Sequence, residues 1–447
     1  MNITLSNQIE ITGPVGQDEH QIITHQFTSI NPAFQEALKF GRSVRNIDRT
    51  LKLFTEIEAG LVLPIGALAW LLQTFRPDVT DLRATVPAFI NFNGELRLYQ
   101  ERFIKLAMQH SNGVMVAATG AGKTVSAIAM AAQLQQRTLI LVKSKDLAGQ
   151  WVEAIKQFTG LDAGLIGGGK SIEGGQFTIG LVQSLVKRDL TQLNYGLVIA
   201  DECHNTPAMQ AYGVLNGINA RYKFGLSATI QRRDKLEFMM YAALGSVVSE
   251  VEASELEGKV LPVQVKTLQL SFNGQPESWN AFLAALANDE ARNRMIVDTA
   301  LKSSQKMGTI ILCAHVGHCE ILGVMARESG LNALVLHGQL SSKVRAERMA
   351  IASESPLIIG TLSLLSEGID LPHLTALIFA SPVSAEPNRE NPAATRLMQS
   401  IGRCRRPYPN KQRAFVLDIC DRHPFGYSAF KKRMGIYKQQ NFEVVAA

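Results

Sequence analysis

The octapeptide Ala117-Ala118-Thr119-Gly120-Ala121-Gly122-Lys123-Thr124 lies between an apolar run, Val114-Met115-Val116, and a helix-like stretch from Val125 to Leu134. Glycines allow positive φ and close backbone approach, so successive N–H groups can converge on phosphate oxygens. The N-terminus of the helix that follows favours the same negative charge. In such a loop Thr119, Gly120, Ala121 and Gly122 wrap the phosphates. Lys123 reaches the β and γ phosphates, and the Thr124 hydroxyl binds Mg²⁺. Ala117 stands where the strict pattern has its first glycine.

A second motif, Asp201-Glu202-Cys203-His204, closes the apolar run Leu197-Val198-Ile199-Ala200. Asp201 is suited to hold the metal. Glu202 is suited to polarise an attacking water, and one carboxylate cannot easily fill both posts. Further on, Gln399-Ser-Ile-Gly402-Arg403-Cys-Arg405-Arg406 offers fixed guanidinium forks to a phosphate whose charge spreads in the transition state. Phosphate loop, carboxylate pair and arginines together describe a nucleoside triphosphatase using ATP and Mg²⁺.

Alternation of short apolar runs with helical stretches places these motifs. The runs are Val114–Ala117, Thr138–Val142, Phe177–Leu181, Leu197–Ala200 and Lys223–Leu226. A second series holds Thr309–Cys313, Ala333–Leu336, Leu357–Ile359, Ala376–Phe379 and Ala414–Leu417. Such a pattern implies βαβ units around parallel sheets, with ligands at the carboxyl edge. The fold class is therefore α/β, with two similar parallel-sheet domains in tandem. Residues 91–250 form the first, 251–275 a linker, and 276–447 the second with a basic C-terminal segment. Residues 1–90 read as a small separate α/β module. Its expected strands are Ile9–Ile11, Gln21–Thr24, Leu51–Phe54 and Gly60–Pro64, the last followed by a helix from Gly66 to Leu72.

The chain has 447 residues, 46% hydrophobic and 19% charged, which excludes a disordered protein and suits two or three buried cores. Its formal net charge is +6. From Arg396 to Lys438 there are eleven Lys/Arg against two acidic residues, whereas residues 1–90 carry seven against nine. The basic excess thus collects near the C-terminus, as a nucleic-acid footprint would. Arg405, Lys411, Arg413, Lys431, Lys432 and Arg433 are candidates for backbone contact. Phe425, Tyr427 and Phe430 interleave there, either to stack on bases or to pack a helix, and packing is favoured. Five cysteines form no CxxC pair, which indicates a reducing compartment. Cys313-Ala-His315-Val-Gly-His318-Cys319 invites a metal reading, disfavoured because no second ligand pair lies nearby. No apolar run is long enough to span a membrane, and no basic-then-apolar leader opens the chain.

Six strings occur in the order seen in superfamily 2 helicases: Arg97-Leu-Tyr-Gln100, Thr119–Thr124, Asp201–His204, Gly225-Leu-Ser227-Ala-Thr229, Glu367-Gly368-Ile-Asp370-Leu-Pro372 and Gln399–Arg406. The chain resembles that superfamily over roughly residues 95–420. Within it, Thr229-Ile-Gln-Arg232-Arg233-Asp234 is similar to the XPB-like branch, which includes the phage branched-DNA helicase UvsW. The resemblance implies two RecA-like domains and an ATP-dependent DNA helicase or translocase acting in branch migration or in fork and junction processing. It implies that Gln100 reads adenine, that Gly368 and Asp370 touch nucleotide and strand, and that Gln399 positions phosphate or water. His204, Ser227 and Thr229 would couple the γ-phosphate state to movement. Lys143, Gln183, Ser184 and Arg232 would contact the nucleic-acid backbone. Lys143-Ser144 stands where the family usually has Pro-Thr. The partner expected is single-stranded, forked or junction DNA in a bacterial or phage-infected host cytoplasm, with no membrane association and an open oligomeric state. An RNA helicase, a translocase subunit of a restriction or defence complex, and a non-enzymatic ATP-gated DNA-binding clamp remain as alternatives.

Overall fold

The computed structural model describes all residues except 59, 119, 204–207, 229–235, 253–254, 256–259, 363–370, 386–391 and 447. The chain divides into two compact units, Met1–Glu255 and Leu256–Ala447. Both are α/β; each holds one largely parallel sheet, and the first also carries a mainly antiparallel N-terminal sheet.

The first unit opens with a five-stranded sheet in the order Thr55–Ile57, Gly60–Pro64, Gln8–Thr12, Asn2–Leu5, Asp78–Asp81. Ile9 and Ile11 alternate with exposed Glu10, so one face is apolar. Ile3, Leu5, Leu61 and Leu63 join it, and Ile23, Leu68 and Leu71 cover it from two helices. One of these helices, Gln17–Gln26, contains the stretch Gln21–Thr24 that was expected as a strand. Local capping explains the difference. Glu19 accepts a bond from the Gly16 N–H at 2.9 Å, and Asp18 and Glu19 sit in the first turn. Those contacts outweigh the β-preference of Ile22 and Ile23.

This sheet docks on the domain that follows. Lys223, 1% exposed, donates to the carbonyls of Asn7 at 3.1 Å and Leu215 at 2.7 Å. Asp81 accepts from Arg83 at 2.7 Å and from Arg221 at 2.7 Å, tying the sheet's last strand across the junction. A Cβ at Gly66 would stand 2.1 Å from the Tyr241 carbonyl oxygen, so only glycine permits that approach.

The second sheet has eight strands in the order Lys170–Ile172, Ala163–Gly167, Phe177–Leu181, Thr138–Val142, Leu197–Ala200, Tyr222–Ser227, Asn112–Ala117, Val247–Val251. All neighbours are parallel except Lys170–Ile172. Central strands such as Thr138–Val142 and Phe177–Leu181 are buried along their whole length, which is why they read as unbroken apolar runs.

The second unit holds seven parallel strands in the order Leu334–Leu336, Leu357–Thr361, Gly308–Cys313, Leu374–Phe379, Ala414–Arg422, Val263–Ser271, Glu443–Ala446. Ile310 and Leu312 enter one core, Ile311 and Cys313 the other, so helices cover both faces. The stretch 251–275, expected as a linker, contains the nine-residue strand Val263–Ser271. Only Val263 and Val265 are buried in it, and its polar second half hid its period.

Several C-terminal cations make contacts within the protein. Arg433 is fully buried and pairs with Asp418 at 2.6 Å, while the Tyr437 hydroxyl donates to the same carboxylate at 2.6 Å. Lys411 donates to the carbonyls of Pro372 and Leu374, Arg405 to that of Leu261, and Arg413 pairs with Glu443. Burial and the Asp418 pair withdraw Arg433 as a candidate backbone contact, whereas Lys411, Arg405 and Arg413 each engage only part of their donors in the protein. Phe425 belongs to a ring cluster with Trp279, Phe282 and His423, whereas Tyr427 is 48% exposed. His318 bonds to Asn293 and Ser381, and burial pushes it down to about 3, so it serves as a neutral hydrogen-bonding group in the core.

Lys223 makes the docking of the N-terminal sheet sensitive to pH. Burial, aided by the Arg83 charge, lowers it from 10.5 to about 7. Between those values the unfolded chain binds a proton that the folded chain does not, so stability from this group rises with pH. Relative to Lys223→Met, the wild type should gain at most about 1.4 kcal/mol per pH unit. Urea unfolding of both proteins from neutral to alkaline pH measures this, and a flat difference would show Lys223 staying charged.

Candidate active site

Gly120 and Gly122 take φ of 91° and 79°, turning the chain from the strand Asn112–Ala117 into the helix Lys123–Leu134. Both values lie in the region that side chains rarely adopt. The Lys123 ammonium donates to the Ala117 carbonyl at 3.0 Å, folding back across the loop it follows. The Gln100 amide donates to the carbonyl of Ala121 at 3.2 Å and accepts from the Arg97 N–H at 3.0 Å. The Tyr99 hydroxyl donates to the same Ala121 oxygen at 3.1 Å.

Gln100, expected to face an adenine, therefore turns its amide inward and is 5% exposed. A Cβ at Gly122 would stand 2.4 Å from its Nε2. The turn leaves a carbonyl in need of donors, and Gln100 and Tyr99 supply them.

Asp201 and Glu202 follow the strand Leu197–Ala200. Asp201 is 7% exposed. One of its oxygens accepts from the Trp151 indole N–H at 2.8 Å and the other from the Glu202 N–H at 2.9 Å. Burial first, then the Glu202 charge, pushes Asp201 up to about 6. The Trp151 bond, the Lys123 charge and the Glu202 N–H act against them. The structure thus brings Lys123, Asp201 and Glu202 together. Glu202 itself has φ of 47°, an uncommon value for a side-chain-bearing residue. Such backbone concentrates at functional sites. Cys203 is packed against Met240, and its N–H bonds the Leu226 carbonyl, so it serves the turn.

Trp151 was not among the expected site residues. It lies on the helix Lys145–Thr159 with Leu147, Ala148 and Ile155 on the buried face. A buried indole needs an acceptor for its N–H. That requirement was legible in the apolar spacing around Gln150-Trp151, but the identity of the acceptor was not.

The remaining first-unit residues fall on the same edge. Parallel strands all end there, so Lys143 follows Thr138–Val142, and Gln183 and Ser184 follow Phe177–Leu181. Ser227 ends Tyr222–Ser227 and is fully buried. Gln183 is exposed, Lys143 and Ser184 half-buried. Adjacent strands lie about 4.8 Å apart, which sets Gln183 and Ser184 roughly 19 Å along the edge from the phosphate loop, with the carboxylates between. Thr124 opens the loop's helix, half-buried beside Lys123.

In the second unit Gln399 and Arg403 stand one turn apart on the helix Pro392–Cys404, and Arg406 follows its end. Gln399 is 4% exposed, and burial lowers Arg406 from its ordinary value. Thr119, His204, Thr229, Arg232, Gly368 and Asp370 lie outside the described residues.

The Thr124 hydroxyl, the Asp201 carboxylate, the Lys123 ammonium and the left-handed glycine turn are groups that suit a triphosphate with a hard divalent cation. The family described as Type III restriction enzyme, res subunit, matches residues 93–232, and Helicase conserved C-terminal domain matches residues 291–407. The DNA 3'-5' translocase XPB2 of Sulfurisphaera tokodaii is 31% identical over 183 residues, 40% of this chain and 42% of that protein. A probable helicase of Escherichia phage T5 is 25% identical over 348 residues, covering 73% of this chain and 71% of its own length. The chain thus spans less than half of the first relative and most of the second. Among solved structures, S. cerevisiae Dbp5 bound to RNA and ADP BeF3 has a TM-score of 0.58 at 17% identity, over 86% of this chain and 94% of that one, a likeness of fold. Through these matches the chain belongs to the superfamily 2 helicases, in their XPB-like branch.

Proposed function

We infer that this chain is an ATP- and Mg²⁺-dependent motor on DNA, unwinding or remodelling duplex or branched strands in branch migration or in fork and junction processing. One observation carries the reading: a single sheet edge presents the phosphate loop, the carboxylate pair and the candidate backbone contacts in a row. Residues 1–90 act as an accessory domain to the two RecA-like domains.

The loop N–H groups of residues 119–122 and the Lys123 ammonium bind the phosphates. Thr124 and Asp201 would hold Mg²⁺, which supplies charge neutralisation at the β and γ phosphates. Trp151 fixes the Asp201 carboxylate through its N–H bond, and Gln100 and Tyr99 hold the loop in its left-handed turn. Glu202 accepts the proton of the attacking water. Gln399, Arg403 and Arg406 supply polar and positive groups to the phosphate in the transition state. Gly368 and Asp370 contribute to the nucleotide site. His204, Ser227 and Thr229 relay the γ-phosphate state. Lys143, Gln183, Ser184 and Arg232 bind phosphate oxygens of the strand, contacts that carry no base information. The five cysteines are buried thiols, as suits the reducing cytoplasm of a bacterium or an infected host cell.

The match to a restriction-enzyme res subunit favours a second reading, a translocase that works inside a defence complex. Strand separation by the purified chain decides between the two. ATPase stimulation across single-stranded, duplex, forked and four-way-junction DNA, with RNA controls, tests the main reading. Branched DNA should stimulate most, and greater stimulation by RNA would overturn the DNA assignment. Glu202→Gln should cut turnover by at least about 100-fold while ATP binding persists. Trp151→Phe keeps the ring and removes the N–H. It should weaken Mn²⁺ affinity in the presence of ADP by about tenfold, read by spin resonance of free Mn²⁺. Unchanged affinity with a lowered melting temperature would leave Trp151 a packing residue only.

A further inference from the structure

Five of the seven Lys/Arg in residues 1–90 lie between Lys39 and Lys52, where Asp48 is the one acid. Lys39, Arg42, Arg45, Arg49 and Lys52 are all exposed. Among the described residues none of the five is within ion-pair distance of a carboxylate. Other cations of the same unit are paired, including Arg83 with Asp81, Arg137 with Glu173 and Lys156 with Asp162. The segment is also held in place. Asn31 bonds Asp48 and Arg49 through their carbonyls at 2.9 and 3.0 Å, and the Arg42 N–H bonds the Ala37 carbonyl at 2.8 Å. Thr50–Lys52 pairs antiparallel with Thr28–Ile30.

Phe40 is 59% exposed, with Lys39 and Arg42 5.9 and 5.4 Å from its ring centroid. Helix-end electrostatics account for Lys39, the last residue of the helix Pro32–Lys39, and for Arg42 just beyond it. They do not account for Arg45, Arg49 or Lys52. The eight-residue helix separates Arg49, beside its first residue, from Arg42, beyond its last, by about 12 Å. That length of duplex axis carries roughly seven phosphate charges.

We propose that residues 39–52 form a second DNA contact, a preorganised basic surface that grips the phosphate backbone outside the motor domains. The proposal rests on the DNA-motor reading above. It gives the N-terminal domain a task that needs no base readout: keeping a duplex arm on the enzyme while the motor moves.

The experiment measures binding of a fluorescent forked duplex by the full chain across a salt series. The variant is Arg42→Gln/Arg45→Gln/Arg49→Gln, with Lys302→Gln/Lys306→Gln/Arg327→Gln, exposed cations of the second unit, as control. The first triple should reduce the slope of log affinity against log salt by about 3, one per lost phosphate contact. The control should leave the slope within about 1 of wild type. If the triple melts early, Arg45→Gln and Arg49→Gln singly should each reduce the slope by about 1. An unchanged slope in a wild type that binds DNA overturns this proposal alone, as does an equal loss in the control. Loss of binding to anionic lipid vesicles with DNA binding intact assigns the surface to membranes and also overturns it. A wild type that neither binds nor responds to any nucleic acid overturns the motor reading instead.

Discussion

The shared direction of five hydrogen-bonded strands governs this site. Phe177–Leu181, Thr138–Val142, Leu197–Ala200, Tyr222–Ser227 and Asn112–Ala117 run side by side in one sense, so their carboxyl ends form one edge. Residues far apart in the chain then become neighbours a strand spacing apart. The Lys123 charge acts on Asp201 because the loop strand and the carboxylate strand are separated by one strand only. Burial of both sheet faces fixes the register, since a slip of one residue would expose one core and crowd the other.

Burial brings a second constraint, because polar groups inside such a fold need partners. Asp201 has Trp151, Lys223 has two carbonyls, Arg292 has Asp421 and Arg433 has Asp418. Breaking a buried pair is costlier than its net contribution to stability, so these contacts specify the arrangement more than they strengthen it. They also change the meaning of the charge map. The C-terminal excess of cations looks like a nucleic-acid footprint in composition, yet Arg433, Lys411, Arg405 and Arg413 are engaged within the protein. The N-terminal domain, acidic on balance, carries a cluster of exposed cations with no carboxylate at ion-pair distance among the described residues.

Strands buried on both faces were legible because hydrophobicity is continuous along them. Strands with few buried positions were not. Val263–Ser271 is buried at two positions, and Lys170–Ile172 at none. Gln21–Thr24 carried a strand-like pair of isoleucines, but the Glu19 cap at Gly16 settled a helix. The phosphate loop, the carboxylates and the arginine helix were legible because their chemistry is tied to local residue order. Trp151 and the inward turn of Gln100 were not, because each is defined by a partner from a distant element.

The amino-acid order by itself determined the αβ alternation, the glycine loop with Lys123 and Thr124, the acidic strand end and the family. Local backbone preference and hydrophobic period suffice for those. Only the tertiary structure decided which donor holds Asp201, which cations stay in solvent, and how the N-terminal sheet meets its neighbour through Lys223. Those outcomes depend on distances between segments remote in sequence, and such distances exist only once the strands have paired and the cores have closed.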